Sequence, residues 1–285
     1  MKSILPSPFP LVPTVWLLGF AIQCHAFTGT GLPFAQNYDS EDVFGSQHVH
    51  HFLETEAGLL FAATDEGLIV FDGERWIQLP DFMDQGITSM AMDDKGRIWL
   101  TCFNDVGYVE SSNGKVWEFT SVLETFPELS RYNNWTSVIL QGSDILFTGR
   151  GIVAEISSNG KMRTWLLPGK YFFGTFSLQN RLFAIVDYPV VHELMDDGTV
   201  EPIAEPMEVI GLSSVYDYAY TGDGSEVLMA GGHFRVVSFD GQTLRLLPEV
   251  PDRLAEYTLL SIERLPNGLL ALATRAHGIL LPNQE

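Results

Sequence analysis

Gly58-Leu59-Leu60-Phe61-Ala62-Ala63-Thr64-Asp65-Glu66-Gly67-Leu68-Ile69-Val70-Phe71-Asp72-Gly73-Glu74-Arg75-Trp76 spells out a repeating unit. A glycine turn leads into an apolar strand. Asp-Glu-Gly then turns the chain into a second strand, Asp-Gly turns it again, and a tryptophan begins a third. Tight hairpins need residues that tolerate positive φ, and each turn supplies one. The strands are four to six residues long and rich in β-branched and aromatic side chains, as short strands in stacked sheets are.

The same order returns along the chain. Lys95 to Thr101 precedes Gly107 to Glu110 and the turn Asn113-Gly114. Asp144 to Thr148 precedes Gly151 to Ile156 and Asn159-Gly160. Arg181 to Val186 precedes Val190 to Leu194 and Asp197-Gly198. Glu226 to Ala230 precedes Phe234 to Phe239 and Asp240-Gly241, and Asn267 to Thr274 precedes Gly278 to Leu281. The Asx-Gly turns at 72, 113, 159, 197 and 240 are spaced 38 to 46 residues apart. That period is one four-stranded propeller blade. A single blade cannot bury both faces of its sheet, so radial stacking must do it. The chain therefore reads as an all-β propeller of about six four-stranded blades. A sandwich, the rival all-β fold, would lack the blade-length period. The last unit, Tyr257 to Glu285, has room for about three strands. The segment Phe27 to Tyr38 is the expected source of its missing outer strand.

On these residues the chain resembles the two-component regulator propeller repeat family, found in the N-terminal propellers of bacterial sensor and hybrid histidine kinase-type ectodomains. Leu59 to Trp76 and Gly96 to Tyr108 match the blade core. Gly31-Leu32-Pro33-Phe34, Asn37-Tyr38 and Gln47 to Phe52 resemble the start of such ectodomains, and Ile262 to Leu281 their later blades. The family's Gly-Thr is replaced by Ala63-Thr64, Leu100-Thr101 and Ala273-Thr274. The family's sensors continue through a second propeller, an immunoglobulin-like domain, a membrane helix and an output domain, so the resemblance is to the input portion. It implies an extracytoplasmic ligand-sensing or binding module that is not an enzyme. The implied ligand is a small molecule or glycan, and the implied partner a downstream sensor protein.

Composition bounds the remaining classes. Of 285 residues, 46% are hydrophobic and 18% charged, enough to bury a core. Lys+Arg is 16 against Asp+Glu 36, a formal net charge of −20. Broad electrostatic binding to nucleic acid or an anionic membrane is excluded by that sign. Lys2, the apolar run from Leu11 to Ile22 and the small-residue end Cys24-His25-Ala26 read as a secretory signal, residues 1–26, with 27–285 as the propeller. An uncleaved N-terminal anchor is the alternative, but the run is shorter than the ~20 residues that span a bilayer. The mature chain is expected in the periplasm or outside the cell, with no membrane span. Cys102 is then the one cysteine left. A lone cysteine excludes a disulfide framework, and its place in an apolar run points to a buried, inert thiol.

Few residues suggest chemistry. His48, His50 and His51 are the densest metal-ligand types, and on a regular strand His48 and His50 share a face while His51 points away. A metal site would need further ligands that no spacing supplies. The acidic turns Asp93-Asp94, Asp196-Asp197 and Asp223-Gly224 lack the pattern of a calcium loop. No nucleophile elbow or phosphate loop is present. Trp76, Trp99, Trp117, Trp135 and Trp165 recur in strands, where they pack blades or stack on a ligand in the funnel. The expected ligand contacts are His48, His50, Trp99, Arg150, Tyr188 and His233, drawn from several blades, with no catalytic set, cofactor or metal. A propeller lyase or hydrolase acting on a glycan or small molecule is the alternative.

Overall fold

The computed structural model describes Tyr38 and residues 43–46, 48–82, 85–111, 116–187, 190–203, 215–231, 235–247, 258–265, 268–275 and 278–281. All lie in the compact unit Tyr38–Glu285. The signal reading over residues 1–26 and the strand expected near Phe34 lie outside the described residues. Tyr38, at the end of that segment, packs its ring edge-on against Phe71 and Trp76 of the first unit. Among the described residues no helix is long and apolar enough to cross a membrane.

Among the described residues, twenty-one strands form five antiparallel sheets. The first holds β1 (Val49–Glu54), β2 (Leu60–Thr64), β3 (Gly67–Phe71) and β4 (Trp76–Gln78) in chain order. The second holds β5 (Ile87–Met92), β6 (Ile98–Cys102), β7 (Val106–Ser111) and β8 (Trp117–Ser121). The third has six strands: β9 (Ser137–Gln141), β10 (Asp144–Ile156), β11 (Met162–Leu178), β12 (Arg181–Val186), β13 (Val190–Leu194) and β14 (Val200–Pro202). The fourth holds β15 (Val215–Tyr220), β16 (Val227–Gly231), β17 (Arg235–Phe239) and β18 (Leu244–Leu246), and the last β19 (Leu259–Arg264), β20 (Leu270–Thr274) and β21 (Gly278–Leu280). Single turns of 3₁₀ helix at Pro80–Phe82, Val122–Glu124 and Pro127–Arg131 fill loops between sheets.

The third sheet departs from the expected four strands per blade because it carries two repeats. Asp144 Oδ1 accepts the Ser158 N–H at 2.8 Å. An extended strand would put those residues about 46 Å apart, so β10 folds back at Gly149-Arg150-Gly151, where Gly151 has φ 75°. The N-terminal half of β11 pairs with β10 and its C-terminal half with β12. Two four-stranded repeats are thus continuous through β11, and five sheets carry six units.

The buried side chains fall into five clusters, and each joins consecutive units. Phe61 and Leu68 of the first unit meet Ile98 and Leu100 of the second. Trp99 meets Trp135 and Phe147, Leu146 and Val153 meet Phe172 and Leu182, Phe176 and Phe183 meet Met229 and Phe239, and Leu228 and Val236 meet Ile262 and Leu272. Alternation along a strand makes this possible: Leu146 faces forward and Phe147 backward. A two-layer sandwich has no such serial stacking. The threonine of the degenerate family motif pins the hairpin within a unit, with Thr64 Oγ1 donating to the Gly67 carbonyl at 2.8 Å. The outer turns are Asx turns. Asp72 Oδ1 accepts the Glu74 and Arg75 N–H groups, and Asp240 Oδ1 those of Gln242 and Thr243.

Candidate functional site

Five of the six described innermost strands, all but β9, share one irregularity. The register slips between Val49 and His51, Ile87 and Ser89, Phe172 and Gly174, Val215 and Asp217, and Leu259 and Ser261. A bulge turns two consecutive residues toward one side. Both His50 and His51, both Thr88 and Ser89, and both Phe173 and Gly174 consequently line a central cavity of ≈ 380 Å³, together with Thr136, Ser137, Asp217 and Tyr218. The expectation that His51 points away from His50 is corrected here: the bulge breaks the period of two.

The bulged strands are tied to one another by side chains that accept the next strand's N–H. His51 Nδ1 accepts from Met90 at 2.9 Å, Ser89 Oγ from Val138 at 3.2 Å, and Asp217 Oδ2 from Ile262 at 3.1 Å. His51, Ser89 and Asp217 occupy the same place after the bulge. In the fourth unit that place is Gly174, which has no side chain to offer, and the Tyr218 N–H goes to Asp217 Oδ1 at 2.8 Å. The small glycine also widens the cavity beside Tyr218.

Burial holds the His51 pKa below the ordinary histidine value, with the Asp217 charge opposing it. The ring is therefore neutral near pH 7, and with Nδ1 accepting, Nε2 carries the proton. Burial raises the Tyr218 hydroxyl, which donates to the Thr175 carbonyl at 2.8 Å. Ser137 Oγ is buried without a hydrogen-bond partner. The cavity thus presents a neutral imidazole, hydroxyls, one carboxylate and the rings of Phe173 and Tyr218. Among the described residues no hydrogen bond joins His51 to a hydroxyl, as an activated nucleophile would need. Cys102 is no nucleophile either, since burial, then Asp105, pushes its thiol up to about 12.

At the mouth, one carboxylate bridges two rings. Asp65 Oδ2 meets His48 Nδ1 at 2.7 Å and Oδ1 meets His50 Nε2 at 2.6 Å. These bonds hold the Asp65 pKa below the ordinary carboxylate value. Among the described residues no three His, Cys, Asp or Glu side chains are placed to hold a metal ion.

The other expected contacts are dispersed. Trp99, 5% exposed, lies between the second and third units, its Nε1 donating to Asp93 Oδ2 at 3.0 Å. Among the described residues no tryptophan lines the cavity, and Trp135 and Trp165 are fully buried. Trp135 and Trp165 follow the packing reading, and Trp99, expected as a ligand contact, packs between blades as well. In Arg97-x-Trp99, Arg163-x-Trp165 and Arg181-x-Phe183 the guanidinium lies over the ring at 4.6–4.9 Å. Two residues apart on a strand is the same face, so the spacing was a readable signal of this stack. Arg150 lies away from the cavity, over Tyr171. Tyr188 and His233 lie outside the described residues. Asp217, Ser89 and Ser137 were missed, because the bulges that aim Ser89 and Asp217 and the register that places Ser137 leave no mark in composition.

No family model matches the chain, and no curated protein matches it. Solved structures do. The extracellular domain of a hybrid two component system from B. thetaiotaomicron aligns with TM-score 0.61 and 13% identity, over 83% of this chain and 33% of that one. Virginiamycin B lyase from Staphylococcus aureus aligns with TM-score 0.59 and 14% identity, over 79% and 76%. A catalytically inactive form of that lyase with quinupristin aligns with TM-score 0.59 and 12% identity, over 81% and 78%. At these identities the likeness is one of fold. The chain spans about a third of the length of the extracellular domain it resembles.

Proposed function

We propose that this chain is an extracytoplasmic ligand-binding propeller that serves as an input module for signalling. The central cavity carries the reading. Bulged inner strands from successive units turn paired polar residues into one space, and Ser137 Oγ there is buried with no partner. A buried unpaired hydroxyl is costly unless something else bonds it. The cavity's size and its mix of hydroxyls, imidazole and aromatic faces suit a small polar molecule or one sugar of a glycan. The fold shared with a sensor's extracellular domain and the signal-like residues 1–26 support export. Occupancy would bias contact with a downstream sensor protein only if ligand binds two states of the ring unequally.

A panel of glycans and small metabolites added to the protein during thermal melting tests the reading. At about 100 times its Kd, a ligand stabilises by about 2.7 kcal/mol, a shift of a few degrees for a domain of this size. A flat panel, with no partner captured in a pull-down, overturns it.

A second reading, a propeller lyase or hydrolase, is favoured by one feature: His51 and the Asp217 carboxylate face the same cavity. Chromatography of each stabilising compound after incubation separates the two. Unchanged compound supports binding, and product supports the enzyme.

A further inference from the structure

We propose a second site, outside the central cavity, that binds a carboxylate carried on an apolar or aromatic body. It is a cleft of ≈ 410 Å³ lined by Arg131, Tyr132, Asn133, Arg150, Leu166 and Pro168 among others, and it shares no lining residue with the cavity. The proposal thus goes beyond the reading above.

Charge is the first argument. Basic residues number 16 against 36 acidic ones, so two cations placed together with no acid beside them run against the charge of this surface. Arg75, Arg97, Arg163, Lys170, Arg181 and Arg245 are each engaged by a carboxylate. Among the described residues Arg131 and Arg150 make no ion pair, both line this one cleft, and no acidic side chain lines it. The neighbouring carboxylate, Asp187, is occupied: Lys170 Nζ meets Oδ2 at 2.7 Å, and the Tyr171 N–H donates to Oδ1 at 2.8 Å.

The cleft is also built rather than incidental. Arg131 ends the turn Pro127–Arg131, and the Arg150 N–H donates to the Asn133 carbonyl at 3.3 Å, which ties the hairpin tip to the following strap. The Arg150 guanidinium stands 4.5 Å from the Tyr171 ring centroid, which restricts where its donors point. The opposite wall comes from a bulge of three extra residues, four on β11 standing opposite the single Gly151. Ile152 pairs with Leu166 but Arg150 with Tyr171, so residues 167–170 loop outward from β11. They lie so close to Gly151 that its added Cβ would stand 3.3 Å from the Leu167 carbonyl oxygen.

Chemistry selects the ligand. Two guanidinium groups bind a carboxylate through charge-assisted, bidentate hydrogen bonds. Leu166 and Tyr171 remain 44% and 37% exposed beside them, an apolar ledge that an inorganic ion would leave uncovered. The match is an acid with a ring or chain attached.

Titration calorimetry of the whole protein with phenylacetate, phenylacetamide and sodium sulfate tests this. Phenylacetate should bind in the millimolar range and its neutral amide about tenfold more weakly or less tightly still. Sulfate displacing phenylacetate supports the arginine site. Arg131→Gln and Arg150→Gln should each weaken phenylacetate about tenfold, and Arg150→Lys by less, because it keeps the charge and loses the fork. Both arginines are exposed, so circular dichroism should find the variants folded. Equal binding of acid and amide, undiminished binding in the double glutamine variant, or no binding by about 10 mM overturns the proposal. Gly174→Leu, which fills the central cavity, should leave phenylacetate binding unchanged, so this site stands or falls apart from the first.

Discussion

His51 Nδ1 accepts the backbone N–H of Met90 at 2.9 Å, so an inner-strand imidazole of the first unit completes the hydrogen bonding of the second. Protonation of Nδ1 would turn that acceptor into a donor facing a donor. Burial already holds the ring's pKa below its reference of 6.5. The folded state then binds fewer protons than the unfolded chain in the interval between the two values. The stability supplied by the neutral ring is fully present above the unfolded value and is lost as pH falls below it toward the folded one. Asn at this position places an amide oxygen where Nδ1 stands and does not titrate. His51→Asn should therefore lose less stability than the wild type when melts at about pH 7.5 and about pH 5.5 are compared. His51→Ala should lose about 1–3 kcal/mol at about pH 7.5, because the Met90 N–H is left unpaired, and less at about pH 5.5, where the wild type is weakened too. Parallel pH dependence in wild type and His51→Asn would remove His51 from this role.

Gly67 follows the Asp65-Glu66 turn with φ 129°, and a Cβ built there collides with the carbonyl oxygen of Phe82. The obstacle is backbone, which cannot swing aside like a side chain. Gly67→Ala should cost about 2–4 kcal/mol in denaturant unfolding, from the clash together with the left-handed backbone. Gly73→Ala is the control. It too has positive φ, 98°, but nothing lies within 4 Å of its added Cβ, so its cost should stay near 1 kcal/mol.

That contrast indicates what a sequence of this kind makes legible. Gly67, Gly73 and Thr64 recur because each hairpin demands them locally, and the propeller could be read from their spacing. The continuity of two repeats through β11 was not legible, since Leu167-Pro168-Gly169-Lys170 looks like a loop between blades until its flanks are seen to pair. The candidate site was least legible of all. His50 stood out by residue type, whereas Ser89, Ser137 and Asp217 are ordinary strand-edge polar residues, two of them aimed by bulges and Ser137 by the register of its strand. Trp99 misled for the opposite reason. A large ring suggests a ligand platform, but Arg97 two residues earlier already marked it as half of a packed stack.

Asp93 is the anchor of that stack. Its Oδ2 accepts from Trp99 Nε1 at 3.0 Å and from Arg97 Nε at 2.7 Å. Burial pulls its pKa upward, but the bonds from Trp99 and Arg97 outweigh it and leave the value below the ordinary 3.8. A depressed carboxylate supplies stability that is present above the unfolded value and disappears as pH falls through the folded one. Asp93→Asn should then cost about 1.5–3 kcal/mol at neutral pH, the worth of hydrogen bonds to a charged group. The gap to wild type should narrow as acid protonates Asp93. Chemical denaturation at about pH 7 and about pH 3 measures it, and a gap that widens in acid would contradict the assignment.

The cavity itself can be closed at one position without disturbing the ring. Gly174 sits where other units carry a hydrogen-bonding side chain, its φ is not left-handed, and an added Cβ meets nothing closer than Tyr218 Cε1 at 3.8 Å. That is ordinary van der Waals contact, so a larger side chain is admitted and has the cavity to grow into. Gly174→Leu should leave unfolding free energy within about 1.5 kcal/mol of wild type, as filling available space does. It should also abolish any thermal shift produced by a cavity ligand, which a side chain occupying that volume excludes. Gly174→Ala, which adds one methyl group, should weaken the same ligand only partly. A ligand whose shift survives Gly174→Leu unchanged binds elsewhere, and the central cavity would then lose its claim to be the sensing site.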